Sequence, residues 1–178
     1  RLKRMAQKNF GRATKRFGDS SDRSEICSCI AEVKGGDLLY VFDSEGYCHK
    51  IDPETLPEGR WRDGGTALKS AIPAAGPDAK IVYMKGIGEN MPQGRLLFYT
   101  RSGMVKKNDW SEMDVAKSSF QAVKIKDGDS VIGIEEEKTG STLLIVTRDG
   151  ICLNADMSDI PTQGRIAAGV RSIQLSEG

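Results

Sequence analysis

Residues able to do chemistry are few in this 178-residue chain, and their spacing argues against catalysis. The one histidine, His49, would need a nucleophile and an orienting carboxylate within hydrogen-bond reach to act as a base. The spacing supplies neither, so His49 reads as a surface side chain on a hairpin arm. Of the four cysteines, Cys27 and Cys29 sit two apart on one strand face, and Cys48 and Cys152 fall at one position of two repeats. Without a Cys-x-x-Cys pair or clustered histidines they read as small buried hydrophobes, not as a metal or redox site. Gly86 and Gly88 lack the third glycine and the helix of a dinucleotide loop. No metal triad, nucleophile elbow, Walker loop or HExxH motif is present.

What recurs is positive charge. Lys50 and Lys107 share one repeat position, His49 and Lys106 a second, and Arg101 and Arg148 a third beside a turn. Gly59-Arg60 and Gly164-Arg165 each follow a repeat hairpin, and Arg62 lies close to the first pair. Repeated units turn equivalent positions toward equivalent places, so such cations would form a curved track for a bent phosphate backbone, read by charge and shape. The competing reading is an ordinary solvated face.

These cations hang on three stretches, residues 39–51, 96–108 and 143–155, each an apolar run, a polar turn ending in Gly and a second arm. Gly46, Gly103 and Gly150 are 57 and 47 residues apart and align Leu39/Leu96/Leu143, Val41/Phe98/Ile145 and Phe42/Tyr99/Val146. Glycine at the reversal supplies positive φ, and β-branched and aromatic arms favour strands over helices. A unit of this size built on one hairpin indicates a bladed β architecture.

Elsewhere, residues 1–17 have approximate helical spacing and read as a basic amphipathic helix, either an arm on nucleic acid or the end of a helix from a neighbouring domain. Residues 1–25 carry eight Lys/Arg against three Asp/Glu, the remainder 18 against 22, so a polyanion would meet the first segment and local patches. Strands are expected over 26–33, 68–72, 81–84, 122–125 and 131–134, with a long loop over 52–67. With 38% hydrophobic and 29% charged residues, and no apolar run of about 20 residues, the chain reads as soluble and cytoplasmic, with no membrane contact. The ending Ser176-Glu177-Gly178 matches Lys126-Asp127-Gly128 of the preceding unit, where a strand follows, so the sequence stops in mid-repeat.

The unit at residues 143–175 resembles the repeat of the carboxy-terminal domain of bacterial type IIA topoisomerase A subunits, of DNA gyrase or topoisomerase IV. Thr147, Gly150, Gly164, Arg165, Gly169, Val170, Ile173 and Leu175 fill its pattern, and residues 17–26 resemble the junction before the first blade. The resemblance implies an all-β, propeller-like β-pinwheel of about three four-stranded blades, a partial disc, preceded by a short basic helix. Its bounds would be residues 1–25 for helix and linker and about 26–80, 81–134 and 135–178 for the blades. It further implies a non-catalytic domain that binds, bends and wraps double-stranded DNA without sequence preference, and the recurring cations Lys50, Arg60, Arg62, Arg101, Lys106, Lys107, Arg148 and Arg165 are the residues expected on its phosphates. Partners would be the rest of the A subunit, with the ATPase B subunit, in an A2B2 holoenzyme associated with the nucleoid. No cofactor is expected in this chain, ATP and magnesium being used elsewhere. The run of arginines and glycines that marks gyrase is only partly kept in residues 58–65, which favours a topoisomerase IV-like or divergent gyrase-like protein. The alternative is a propeller-like protein-interaction module.

Overall fold

The computed structural model describes residues 1–13, 27–60 and 63–173. Three hairpins form where the turn glycines predict them: β1 (Leu38–Asp43) with β2 (Tyr47–Ile51), β4 (Arg95–Thr100) with β5 (Met104–Asp109), and β8 (Thr142–Val146) with β9 (Cys152–Asp156). Gly46, Gly103 and Gly150 have φ of 86°, 78° and 81°, which a side chain would resist. The residue three before each glycine adds a second lock. Asp43 Oδ1, Thr100 Oγ1 and Thr147 Oγ1 accept from the backbone N–H four residues on, at 2.9, 3.2 and 3.1 Å.

Each hairpin becomes a blade by borrowing strands. β3 (Ile81–Ile87) pairs with β1, and β6 (Ser119–Gln121), which follows the second hairpin in sequence, pairs with β2. The second sheet repeats this with β7 (Val131–Glu136) on β4 and β10 (Val170–Arg171) on β5, giving the orders β3-β1-β2-β6 and β10-β5-β4-β7. The expected all-β, propeller-like fold is therefore present, among the described residues as two four-stranded sheets and the β8–β9 pair, with strands exchanged between units. Because the exchanged strands come from the following unit, no four-stranded sheet is contiguous in sequence.

Side-chain alternation explains how the sheets stack. Tyr40 and Phe42 of the first blade meet Leu96 and Phe98 of the second in one core, which Trp110, Met113 and Val131 complete. From the opposite face of β4, Leu97 and Tyr99 meet Leu143 and Ile145 of the third hairpin. A strand packed on both faces needs the uninterrupted apolar run seen in the sequence. Leu144 and Val146, on the far face of β8, remain 64% and 58% exposed. At the other end, Leu39 and Val41 are covered by Leu2, Leu56, Ile72 and Ala75 instead of by a blade.

Four expected elements differ. Residues 68–72 are not a strand: Leu68–Ala71 form a helical turn, α2, closed by Ile72 N–H on Leu68 O at 2.7 Å, since Leu, Lys and Ala favour helix and no strand edge is offered. Residues 27–33 form no ladder; Ala31 and Val33 pack on the first core beside β3, so their alternation reflects burial alone. The strand expected at 122–125 lies at 119–121, because Ala122 and Val123 bend around the first hairpin tip and donate to Gly46 O. The first helix, α1, covers only Gln7–Ala13, while Leu2 and Arg4 are extended and bridge to Thr66 and Glu58; residues 14–17 lie outside the described residues.

Candidate nucleic-acid interface

The first two hairpin tips are held by flanking segments, and an exposed cation lies at each of the three. At the first tip, Ser44 N–H donates to Lys80 O at 2.8 Å and Lys80 N–H to Ser44 Oγ at 3.0 Å, which fixes exposed Lys80 beside the turn. At the second, exposed Arg101 donates its N–H to Ser130 O at 2.9 Å, and Ser102 N–H reaches Asp129 Oδ1 at 2.9 Å. At the third, the Arg148 side chain is 92% exposed, with Asp149 of its own turn at 3.7 Å. Long, exposed ion pairs of this kind contribute little and leave the guanidinium available. Arg60 sits on the loop after β2, 89% exposed, with Asp63 at 3.9 Å. Arg62 lies outside the described residues.

Four of the residues read as phosphate contacts are corrected by their surroundings. Lys106 is 1% exposed, and its ammonium donates to Ala122 O at 2.7 Å and to Arg165 O, with the Phe98 ring at 5.2 Å. Lys107 is 5% exposed and donates to Met157 O at 2.7 Å and Glu137 at 3.4 Å. The half-buried Lys50 donates to Val115 O between Tyr40 and Phe120, and half-buried Arg165 donates to Gln121 O over Phe120. Lys50 and Lys107 thus play one part twice, each running from the second arm of a hairpin to a carbonyl in the tail of the next unit. Their recurrence comes from fastening neighbouring units, since a buried carbonyl needs a donor as much as a phosphate does.

His49 is corrected as well. It is 1% exposed, with Nε2 3.0 Å from Asp43 Oδ2 and Nδ1 2.9 Å from Ser119 Oγ. The order Ser, His, Asp matches a hydrolase relay in type, but Asp43 also accepts the Glu45 and Tyr47 N–H groups and is 2% exposed. Ser119 lies on β6, so the histidine ties an exchanged strand to the hairpin that receives it. Of the cysteines only Cys48 is buried; Cys27 and Cys152 are exposed and Cys29 is half-buried. Among the described residues no group of three His, Cys, Asp or Glu is placed to hold a metal ion, and no helix is long and apolar enough to cross a membrane.

Sequence reading missed Lys80, since it lies outside the hairpin repeat and only β3 pairing brings it to the tip. It also missed Asp52, Asp109 and Asp156, each six residues after a turn glycine and each opening a 3-10 turn. Leu56, Met113 and Ile160, ten after the glycine, are buried at 5%, 0% and 6%. Alignment on the glycines reveals both signals.

Burial pushes the Lys106 ammonium down to about 7, with Glu112 opposing that fall and Arg165 adding to it. Its ordinary value is 10.5, so between the two the unfolded chain binds a proton that the folded chain does not. Stability should therefore rise as pH increases across that interval, the full penalty being present below pH 7. Denaturant midpoints from pH 6 to 10 should show this rise in the wild type and a flatter profile in Lys106→Met. Parallel profiles would contradict it.

Strand-exchanged four-stranded sheets stacked face to face with a third hairpin define a propeller-like β domain. The family model described as the DNA gyrase C-terminal domain, beta-propeller, matches residues 141–178. The chain is 28% identical to the A subunit of DNA topoisomerase 4 from Bacillus subtilis (strain 168), over 99% of this chain and 22% of that protein. It is 27% identical to the A subunit of DNA gyrase from Deinococcus deserti, over 80% of this chain and 18% of that protein. The crystal structure of the C-terminal domain of DNA topoisomerase IV superposes with a TM-score of 0.82 at 26% identity, covering 99% of this chain and 55% of that one. The chain is thus similar to the A subunits of DNA topoisomerase IV and DNA gyrase, and spans about a fifth of the length of these curated relatives.

Proposed function

We propose that this chain is a non-catalytic domain that binds and bends duplex DNA without sequence preference, as part of the A subunit of a type II topoisomerase. One observation carries this: an exposed cation lies at each of three hairpin tips, Arg101 and Arg148 within their turns and Lys80 held beside the first, while the inward cations are engaged with backbone carbonyls. Cations repeated on successive stacked sheets would meet successive phosphates of a bent duplex, recognising charge and shape and not base edges. The domain would work in the cytoplasm on the nucleoid, beside the cleavage part of the same polypeptide, with an ATPase B subunit completing an A2B2 assembly. ATP and magnesium would act in those other parts.

Lys80, Arg60, Arg101 and Arg148 as four phosphate contacts give a log affinity against log salt slope of about −3.6, or ~150-fold weaker binding from 50 to 200 mM salt. Electrophoretic titration with two duplexes of unrelated sequence should return that slope and equal affinities. A flat salt response would overturn the proposal.

A further inference from the structure

The loop after the first hairpin, residues 57–66, carries Arg60 and is pinned by the first residues of the chain. Leu2 and Thr66 exchange both backbone hydrogen bonds, at 2.8 and 2.7 Å. On the other leg of the loop, Arg4 N–H donates to Pro57 O at 3.0 Å and Gly59 N–H donates to Arg4 O at 2.9 Å. Between these bonds, Lys3 Nζ donates to Arg60 O at 2.9 Å and Asp63 O at 2.7 Å. Those carbonyls bracket the turn in which Asp63 N–H meets Arg60 O at 3.0 Å and Arg60 N–H meets Asp63 Oδ2 at 2.7 Å. Leu2 anchors the arrangement, 5% exposed in the core of the first blade with Leu39, Val41 and Leu56. Gly65 is required beside it, because a Cβ there would stand 2.4 Å from Leu2 O.

We propose that residues 1–5 act as a strap that sets how the Arg60 loop is presented to duplex DNA, with Leu2 as its anchor and Lys3 as its positioning residue. Fixing a loop costs backbone entropy, roughly 1–2 kcal/mol per residue, and the turn's own two bonds are few against that cost. The strap supplies donors and acceptors on both legs and an ammonium beneath the turn. The Arg60 guanidinium then meets a phosphate from a fixed root and not from a mobile one, which lowers the entropy lost on binding. This inference rests on the DNA-binding function proposed above.

Two readouts test it in the intact chain. Without DNA, Lys3→Met should speed amide hydrogen exchange at Gly59 and Thr66 about tenfold or more, with the melting temperature near that of the wild type. Leu2→Asp should speed exchange there more strongly, with a lower melting temperature because its carboxylate would enter the core of the first blade. With DNA, Lys3→Met and Arg60→Ala should each reduce the salt slope by about 0.9, and the double variant by no more than either one. If Lys3 touched phosphate itself, the two losses would add, and the positioning role would be overturned. If the wild type binds and Lys3→Met binds as tightly, or if exchange at Gly59 and Thr66 is unchanged, this inference alone falls. If the wild type shows no salt-dependent binding, the DNA-binding function has failed and this inference falls with it.

Discussion

Charge reversal at the three hairpin tips, Lys80→Glu, Arg101→Glu and Arg148→Glu together, is expected to weaken duplex binding several hundredfold at 100 mM salt. Losing three phosphate contacts removes a slope of about 2.7, which by counterion release alone is ~500-fold at that concentration, before repulsion by the new carboxylates. Folding should be almost untouched, since each side chain is exposed and the Arg148–Asp149 ion pair is long and local. Gel-shift titration of the triple variant beside a thermal melt separates the two effects. Wild-type affinity in a folded triple variant would remove the tips from the interface. Lys106→Met and Lys107→Met provide the contrast: these cations are buried, so their replacement should act on stability and leave the salt slope in place.

Phe98→Ala should have the largest effect on stability, about 3–5 kcal/mol. The Phe98 side chain is 1% exposed and stands between two blades, edge-on to Phe42 at 6.0 Å and with the Lys106 ammonium 5.2 Å from its ring centre. Truncation would leave a cavity in the one core that both four-stranded sheets share, and would uncover a buried cation. The loss should appear as a shift in denaturant midpoint with little change in slope. Leu144→Ala, on the 64% exposed face of β8, should change stability by no more than about 0.5 kcal/mol. A Phe98→Ala loss below about 1.5 kcal/mol would mean that contact between the sheets is not what joins them.

The division between legible and illegible features follows the range of the forces involved. Gly46, Gly103 and Gly150 were readable because a tight reversal is settled by a few adjacent residues, and the expected positive φ is found at all three. The apolar runs of β1 and β4 are packed on both faces, whereas the like run over Leu143–Val146 leaves Leu144 and Val146 64% and 58% exposed, so an apolar run does not by itself say what covers each face. Lys50, Lys106 and Lys107 were misread because a lysine on a strand looks the same whether its ammonium meets solvent or a carbonyl. Here the carbonyls belong to Val115, Ala122 and Met157, 65, 16 and 50 residues away. His49 was misread for the same reason, its partner Ser119 being 70 residues distant.

By itself, the sequence determined that there would be three like hairpins and where each would turn, since turn chemistry acts over a handful of residues. Tertiary structure alone decided which strand completes which sheet, which cations are drawn inward to fasten neighbours, and which remain at the tips. Those outcomes depend on hydrogen-bond partners far along the chain, and no local pattern specifies where an ammonium will find its carbonyl.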